Sequence, residues 1–566
     1  MTGFLVEMLI GACSLVAVGV AGLRWLRVAQ REHYFPGRVT LFAWRWWLCI
    51  PGNALLLAAA MGGLVLAGLF PLAGLVTAVA VALGPLGLGI KGRSAPLRWT
   101  RRLVTLAVVS ALEEVALGAL AWSAGASIGL AGALAVVLVP VVVDGATALT
   151  APLERRAGQR FVEQARAHLE KVNPVVVGVT GSYGKTTTKG YIAHLAGASL
   201  EVVASPASFN NRMGLARAVN EHLMPGTEVF VAEMGTYGPG EIAALCEWIS
   251  PDIAVITAIG PVHLERFGSE EAIVQAKAEI GKKARVVVLN VDDERLRSLA
   301  LRYEQEGTQV IRCGTCPGEE PTSAPTGHSS TLELLGRQVS EPAPSAPTGS
   351  ESTSELMGRP GPSLVGAEGQ HLDVSVWCKG TQSVVSANGQ VISINEGLPG
   401  APSNIACAVA VALELGVAPQ EVAGRLASLP VAPHRLQVLT SSSGVIVLDD
   451  TYNSNPAGAR AGLTQLARVA GGKKAVVTPG MVELGHRQFQ ENAAFARMVA
   501  QVADWLVVVG RTNRSALLSG VKGHDLPRSA EVVVLADRHE AVEWVRANLV
   551  AGDAVLYEND LPDHFP

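Results

Sequence analysis

Charged residues are scarce in this chain of 566 residues, at 17% of the total, and the formal net charge of -4 is small for its length. No basic patch of the kind that binds nucleic acid is present, which excludes nucleic acid as a partner. The seven cysteines are scattered singly apart from Cys313 and Cys316, so the sequence predicts no disulfide framework. That pair could mark a metal or redox site. It lacks a second pair and adjoins a Pro/Ser-rich tract, so we favour two incidental thiols.

Apolar sequence, in contrast, is abundant, and it is concentrated in the first 150 residues. Five apolar runs fit membrane-spanning helices, which need about 20 residues each. They are Gly3 to Gly22, Asn53 to Phe70, Leu72 to Ile90, Leu103 to Ser123 and Ala126 to Leu149. No basic segment precedes the first run, which argues against a cleaved signal peptide. We therefore expect residues 1–150 to form an all-α membrane domain of about five helices, with the lipid bilayer as a partner.

Basic residues predict how this domain is oriented. They cluster after the first, third and fifth runs, at Arg24 to Arg45, Lys91 to Arg102 and Arg155 to Arg160. Positively charged loops stay in the cytoplasm. We therefore expect the amino terminus outside the cell and everything after Leu153 on the cytoplasmic side of a bacterial inner membrane. A transporter is disfavoured, since five helices without an internal repeat match no common transporter pattern.

Three acidic residues lie within the apolar runs, namely Glu113, Glu114 and Asp144. Carboxylates inside a membrane mark either a polar pathway or a structural site in which the acid is paired. The sequence leaves both possibilities open.

Behind a charged connector over residues 151–173, the run Val175 to Thr188 reads VVVGVTGSYGKTTT. The pattern predicts a buried strand, a phosphate-binding loop and a helix from Lys185 to Ala196. Gly181 and Gly184 let backbone N–H groups approach phosphate oxygens, because glycine has no Cβ. Lys185 would reach the β- and γ-phosphates, and the hydroxyl of Thr186 would ligate Mg²⁺.

Two polar residues follow neighbouring predicted strands. Glu233 ends the strand EVFVAE, and His263 follows the strand IAVITAI. Ligands collect at the carboxyl ends of strands in open parallel sheets, so both side chains are expected beside the phosphate loop. Their positions favour metal coordination. Lys277 lies in a predicted helix from Glu270 to Lys283, where the pattern alone predicts an ordinary surface lysine.

Cys316 to Ser363 is rich in Pro, Ser, Thr, Gly and Glu, and composition predicts a disordered insertion there. Short strands and an Ala-rich helix from Ser403 to Leu415 resume the first α/β domain, which we place at residues 174–430. A second α/β domain, residues 431–566, is predicted from strands such as VIVLDD that alternate with helices. Such alternation indicates a mostly parallel sheet covered on both faces.

Six motifs together resemble the Mur ligase family of ATP-dependent amide-forming ligases: TGSYGKTTT, SFNN, AEMGTYGPGEI, GPVHLERFGS with QAKAEI, DDTYNSNP and MVELG. They cover about 380 residues in family order. The resemblance implies a P-loop central domain and a Rossmann-like carboxyl-terminal domain. It also implies transfer of the γ-phosphoryl group of ATP to a carboxylate, followed by attack of an amine on the acyl phosphate. The closest branch adds D-alanyl-D-alanine to the muramyl tripeptide.

The resemblance also implies roles for single residues. It makes Lys185, His263 and Lys277 catalytic, and it implies two Mg²⁺ ions held by Thr186, Glu233, His263 and a carbamylated Lys277. Nucleotide contacts are expected from Gly181, Gly184, Lys185, Thr186, Thr187, Asn404, Arg435, Asp450, Asn453 and Asn455. Substrate contacts are expected from Asn210 and Asn211.

The chain departs from the family pattern in several places. Five membrane runs stand where the family has its uridine-nucleotide domain. A histidine usual before the middle-domain asparagine is absent from GAPSNIAC, Pro479 and Gly480 replace a Gly-Asp, and YENDLPDHFP replaces a Lys-Gly-Ser loop.

The first interpretation is a membrane-anchored ligase that joins an amine, amino acid or dipeptide to a carboxylate-bearing envelope precursor, which could be lipid-linked. One alternative is a membrane-bound polymerase of amino acids of the polyglutamate type. Another is an ATP-binding scaffold with reduced catalysis, which the intact Lys185, Glu233 and Lys277 argue against.

Overall fold

The structure is a computed structural model, and it describes residues 2–89, 97–206, 209–315, 372–379, 382–430, 436–452, 454–522 and 530–561. Two compact units make up the chain, one reaching Arg160 and the other running from Phe161 to Asp560. Several sequence predictions lie outside the described residues: Arg435, Asn453, the tract Cys316 to Ser363 and the domain boundary near Val431.

The first unit is entirely helical where it is described. Its helices are α1 (Thr2–Arg31), α2 (Arg38–Cys49), α3 (Pro51–Ala67), α4 (Gly74–Leu83), α5 (Arg101–Ser123) and α6 (Ile128–Val172). Three of them are long and apolar enough to cross a membrane: α1, α5 and α6. A fourth span is reached only if α2 and α3, which meet at 110°, count as one.

Among the described residues these are fewer than the five predicted spans, because the second and third apolar runs form shorter helices. Helix α3 has 17 residues and α4 has 10. Pro71 and Pro85 follow their ends, and proline cannot continue a helix without losing a hydrogen bond. The apolar sequence continues across these breaks, which is why hydropathy alone indicated full spans.

Helices α3 and α4 pack as a hairpin. Its mouth, the end at which Asn53 and Leu86 lie, is closed by a hydrogen bond. The Thr77 hydroxyl donates to the carbonyl of Ala60 at 2.9 Å, and a Cβ on Gly63 would lie 2.7 Å from that hydroxyl oxygen. At the mouth, Leu86 N–H donates to Asn53 Oδ1 at 2.6 Å. Asn53 is fully buried. The start of α3 and the segment that follows α4 therefore lie side by side.

The basic end of α1 lies at that mouth. Arg24 donates to the carbonyls of Val81 and Ala82, at 3.2 Å each, and also to the Gly84 carbonyl. Arg27 donates to the Gly89 carbonyl. Carbonyls at the end of a helix lack intrahelical partners and carry partial negative charge, so Arg24 caps α4, whereas Arg27 binds the segment that follows it.

Asp144 of α6 caps a different helix. Its carboxylate accepts from the N–H groups of Val39 and Thr40, at 3.2 and 2.7 Å, in the first turn of α2. The sequence is compatible with either a polar pathway or a structural site in which the acid is paired. For Asp144, these contacts favour the paired structural site. Both carboxylate oxygens of Glu114, in contrast, are buried without a hydrogen-bond partner among the described residues.

The second unit contains two sheets. The strands of the first are β1 (Val175–Thr180), β2 (Val202–Ala204), β3 (Val229–Glu233), β4 (Ile253–Ile256), β5 (Val286–Asn290), β6 (Gln309–Thr315), β7 (Val374–Lys379), β8 (Gln382–Ala387) and β9 (Gln390–Glu396). Their order is β2-β3-β1-β4-β5-β6-β7-β8-β9, parallel up to β7. Strand β1 therefore lies between β3 and β4, and this order brings their carboxyl ends together.

Helices cover both faces of this sheet, as the apolar strands predict. The helices are α7 (Lys185–Ala196), α8 (Arg212–His222), α9 (Glu241–Cys246), α10 (Leu264–Phe267), α11 (Glu270–Ala278), α12 (Glu294–Gln305), α13 (Pro402–Glu414) and α14 (Pro419–Leu426). One core joins alternate strand residues to α8, α9, α11 and α12. The other joins the remaining strand residues to α7, α13 and α14. Val176 and Val177 of β1 face opposite cores, as the two-residue period of a strand requires.

The second sheet has six strands in the order β10-β11-β15-β12-β13-β14. They are β10 (Gln437–Thr440), β11 (Ile446–Asp450), β12 (Lys474–Thr478), β13 (Trp505–Val509), β14 (Glu531–Leu535) and β15 (Ala554–Glu558). Only β10 is antiparallel to its neighbour. Helices α15 (Pro456–Arg468), α16 (Gln488–Val502), α17 (Arg514–Val521) and α18 (Arg538–Asn548) accompany it. The α/β fold class predicted for both domains is confirmed.

Candidate active site

The predicted phosphate-binding loop joins β1 to α7. Gly181 has a φ of +152° and Gly184 a φ of +79°, a region that favours glycine. A Cβ on Gly181 would lie 2.1 Å from the Thr257 hydroxyl oxygen, and one on Gly184 would lie 2.4 Å from Oδ1 of Asn404. Both positions therefore require glycine, and the Asn404 side chain lies against the loop.

Lys185 begins α7 and folds back over the loop. Its Nζ donates to the Gly181 carbonyl oxygen at 2.7 Å. Thr186 and Thr187 follow in the first helical turn and are half-buried. The first N–H groups of a helix are unpaired and carry partial positive charge. Together these groups collect hydrogen-bond donors and a cation where an anion such as phosphate would bind.

Glu233 lies next to this loop, because Val179 of β1 pairs with Glu233 of β3. Its carboxylate is buried and accepts from Lys189 Nζ at 3.0 Å and from Asn210 Nδ2 at 3.3 Å. The sequence predicted Glu233 and Asn210 but not Lys189. Lys189 stands four residues after Lys185, on the same side of α7, and that spacing could have identified it.

His263 occupies the N-cap position of the short helix α10, and its backbone is left-handed, with a φ of 59°. Its Nδ1 contacts the carboxylate of Glu483, which lies in the segment between β12 and α16. The ring of Tyr237 meets the imidazole edge-on, with centroids 4.8 Å apart. His263 therefore joins the strand end of the first sheet to the second α/β domain.

Lys277 is almost fully buried in α11, whereas its sequence pattern predicted a surface lysine. Burial, with a further contribution from the charge of Lys185, holds the pKa of Lys277 well below its ordinary value. No carboxylate is paired with it among the described residues. A lowered pKa favours the neutral amine over the ammonium, and the neutral amine is the form that can add CO₂ to become a carbamate.

The donor set fits Mg²⁺ that is held largely by its substrate. Within the described residues no group of three or more His, Cys, Asp or Glu side chains could hold a metal ion. Glu233 and His263 each provide one donor, and Thr186 provides a hydroxyl. Mg²⁺ is commonly bound by one or two carboxylates together with substrate phosphates and water, so this sparse set is compatible with it.

Three other predicted site residues have structural partners. Asn211 caps α8 by accepting from Gly214 N–H at 2.9 Å, and Asn455 caps α15 by accepting from Gly458 N–H at 2.9 Å. Asp450 ends β11, and its Oδ1 accepts from Leu436 N–H at 3.2 Å. Each still offers polar atoms, but part of its bonding capacity maintains the fold.

The carboxyl end of β15 carries a buried acid that sequence analysis did not identify. Glu558 is fully buried and accepts from the hydroxyls of Ser454 and Thr478. Burial, and secondarily the charge of Asp450, raises its pKa to about 8. Asn559 follows and donates to the Gly480 carbonyl at 2.7 Å. Two departures from the family pattern, at Gly480 and at the YEND segment, are therefore in contact.

A glycine loop that opens a helix at the carboxyl edge of a parallel sheet, with lysines and a carboxylate beside it, defines a class of nucleotide-dependent enzyme. Residues 179–333 match the family model described as Mur ligase middle domain. Residues 434–557 match the one described as Mur ligase, glutamate ligase domain. Both matches fall in the second unit, the first from β1 to beyond β6 of the first sheet and the second over the second sheet.

Relatives extend this match. The UDP-N-acetylmuramoyl-tripeptide--D-alanyl-D-alanine ligase of Mycobacterium leprae is 32% identical over 486 residues, covering 79% of this chain and 84% of the relative. The Bacillus subtilis enzyme of the same name is 27% identical, covering 70% and 75%. A solved structure, MurF ligase from Thermotoga maritima in complex with ADP, has a TM-score of 0.53 at 25% identity, covering 71% and 80%.

The chain therefore belongs to the Mur ligase family, and it is an ATP-dependent ligase that forms amide bonds. The resemblance inferred from the six motifs is confirmed. The roles of individual site residues remain predictions.

The buried carboxyl of Glu558 predicts a pH-dependent stability. Its pKa of about 8 in the folded chain lies above the ordinary value of 4.5, so the folded state holds a proton that the unfolded state has lost. Stability should therefore fall as pH rises from about 5 to about 8. In thermal melts of the full chain, Glu558→Gln should flatten this decline. Glu247→Gln, an exposed control, should not. Equal slopes for all three proteins would contradict the prediction.

Proposed function

We propose that this chain is a membrane-anchored ligase of peptidoglycan precursor synthesis, acting through an acyl-phosphate intermediate. The observation that carries the proposal is similarity over 79% of the chain to a relative named UDP-N-acetylmuramoyl-tripeptide--D-alanyl-D-alanine ligase. That name describes a carboxylate-bearing muramoyl tripeptide and a dipeptide that supplies the amine. We assign the same two substrate classes to this chain.

In the first step the γ-phosphoryl group passes from ATP to a carboxylate oxygen of the acceptor. The bond from the γ-phosphorus to the bridging oxygen breaks, and ADP leaves with that electron pair. Little covalent chemistry is asked of the protein, so positioning and charge neutralisation dominate. Lys185 and the N–H groups at the start of α7 would hold the phosphates, while Asn404 and Asp450 would contact the nucleotide. Arg435 and Asn453 are assigned to the same nucleotide side by the family resemblance.

In the second step the amine nitrogen attacks the carbonyl carbon of the acyl phosphate. A tetrahedral intermediate forms, its bond to the phosphate oxygen breaks, inorganic phosphate leaves and the nitrogen loses a proton. Asn210 and Asn211 are proposed to contact the acceptor. Asn210 also donates to Glu233, so the acceptor side and the phosphate side of the site share a residue.

Two Mg²⁺ ions are proposed as cofactors, because the donors around the loop fit the ion. When bound, they would neutralise phosphate charge. Thr186 and Glu233 would hold one, and His263 and a carbamylated Lys277 the other. Lys189 would hold the Glu233 carboxylate in place beside the loop, since a buried carboxylate needs a paired cation.

The membrane anchor is proposed to consist of α1, α5 and α6, with the α3–α4 hairpin entering and leaving from the cytoplasmic side. From Asn53 to Ala67 the hairpin reaches about 20 Å deep, less than the hydrocarbon thickness of about 30 Å. Leu69 and Phe70 at its tip are exposed on the protein surface, as lipid-facing residues are. Three spans, like five, leave every basic cluster in the cytoplasm, whereas four would place some outside.

Lys185 provides the first test of the ligase. Lys185→Ala should lower turnover by about 10²- to 10³-fold, because it removes a positive charge from the transferring phosphoryl group. The assay is release of phosphate and mass of product, with full-length protein offered a muramoyl tripeptide, D-alanyl-D-alanine and single amino acids. Lys282→Ala, an exposed control, should match the parent. One addition per acceptor supports the proposal, whereas a ladder built from one amino acid would indicate a polymerase.

Lys277 provides the second test. Lys277→Ala should be nearly inactive, and short-chain carboxylic acids such as formate should partly restore turnover by supplying the missing oxygen ligand. Carbon-13 NMR of the parent in labelled bicarbonate should show a carbamate signal that the variant lacks. Full activity of Lys277→Ala without added acid would refute carbamylation. Absence of the carbamate signal from the parent would refute it as well.

Membrane topology can be measured by labelling with an impermeant maleimide on intact spheroplasts. In a background without native cysteines, Gly125→Cys lies between α5 and α6 and should be labelled. Leu69→Cys at the hairpin tip should not be, and protease should leave the ligase domains uncut. Labelling at Leu69 would show that the hairpin crosses the membrane, and cleavage of the ligase domains would overturn the orientation.

A further inference from the structure

The contact between His263 and Glu483 joins the two α/β domains at the candidate metal site. His263 follows β4 of the first sheet, and Glu483 follows β12 of the second. Both side chains are half-buried, with 22% and 30% of their surface exposed. Neither the phosphate loop nor the Lys189–Glu233 pair takes part in this contact.

The chemistry of this contact determines which imidazole nitrogen is left for a ligand. A carboxylate oxygen can only accept, so the proton of the neutral ring lies on Nδ1 and points at Glu483. The lone pair then lies on Nε2. A carboxylate on the second nitrogen is the usual partner of a metal-bound histidine, because it selects the tautomer and orients the ring.

Surrounding groups hold both partners in place. His263 and Glu483 have φ values of 59° and 63°, a left-handed conformation that residues with a Cβ rarely adopt. The ring of Tyr237 lies edge-on to the imidazole, and the Arg266 guanidinium lies 4.9 Å above the Tyr237 ring. The imidazole is thus constrained by Tyr237 on one side and by Glu483 from the other domain.

A second contact joins the same two segments without touching His263. Arg487 pairs with Glu270 at the start of α11, and Glu270 also pairs with Arg295. Gly485 lies between Glu483 and Arg487, and a Cβ there would lie 3.4 Å from the backbone nitrogen of Glu265. Residues 483–487 therefore dock as one segment, which provides a matched control for the role of Glu483.

We infer that Glu483 is a positioning residue that directs Nε2 of His263 toward the second divalent cation, so that the second domain completes this metal site. The inference rests on the proposed function, in which His263 is a ligand of that ion. It adds a residue from the MVELG motif to the site and a reason for the two domains to close before phosphoryl transfer. A carboxylate that only tied the domains together would act on docking and leave metal affinity unchanged once the domains are docked.

Binding of Mn²⁺ in place of Mg²⁺, followed by electron paramagnetic resonance, separates these roles. Full-length protein is titrated with Mn²⁺ in the presence of a non-hydrolysable ATP analogue. Glu483→Gln should weaken the second Mn²⁺ site by about 10- to 100-fold and leave the first within two-fold. Glu483→Asp should recover part of the loss, since it restores a carboxylate. Arg487→Gln should leave both sites near the parent, and thermal melts check that each variant is folded.

Three results would overturn the inference. Glu483→Gln with parental Mn²⁺ affinity would show that His263 needs no orienting carboxylate. An equal loss in Arg487→Gln would show that docking alone matters. A His263→Ala chain that still binds two ions would show that His263 is not a metal ligand. That result would be a failure of the proposed function, and the His263→Ala titration distinguishes it from a failure of the role of Glu483 alone.

Discussion

Balancing charge in a water-poor site is the constraint on which the ligase half of this chain depends. The edge of the first sheet gathers Lys185, Lys189, Lys277 and Glu233, all partly or fully buried. A buried charge is costly unless it is paired, and each of these groups meets that requirement differently. Lys189 pairs with Glu233, and Lys185 donates to loop carbonyls. Burial and the charge of Lys185 lower the pKa of Lys277, which favours its neutral amine. The neutral amine is what makes carbamylation chemically accessible.

The second domain affects the same site through contacts at its strand ends. Glu483 reaches His263 and Arg487 reaches Glu270, so the segment after β12 meets the loops after β4. At the neighbouring strand end, Asn559 and Glu558 bind the segments that carry Gly480, Thr478 and Ser454. Gly480 and the segment with Glu558 and Asn559 are two of the places where the chain departs from the family pattern. Because they touch, a change in one imposes a constraint on the other.

In the helical unit, satisfied polar groups explain how an apolar sequence is divided into long helices and a hairpin. Asn53 closes the hairpin mouth, Arg24 caps α4 and Asp144 caps α2. Unsatisfied backbone groups are expensive in hydrocarbon, so such caps belong at the breaks between helices. The acids and arginines of this unit, which sequence inspection treats alike, therefore have different roles. Of the acids Glu114 and Asp144, Asp144 is paired, whereas Glu114 has buried oxygens without a hydrogen-bond partner among the described residues.

Local pattern alone determined the phosphate loop, the helix Lys185–Ala196, the strand ends at Glu233 and Asp450, and the family, because glycine position, strand period and motif order are written along the chain. Only the tertiary structure decided what depends on distance across it. The order β3-β1-β4, the pairing of Lys189 with Glu233, the burial of Lys277 and the reach of Glu483 to His263 join residues up to 220 positions apart. Hydropathy predicted more spanning helices than the described residues contain for the same reason, since the return of α4 against α3 is a packing outcome. A side chain's surroundings are set by elements remote in sequence, and no window of the chain contains them.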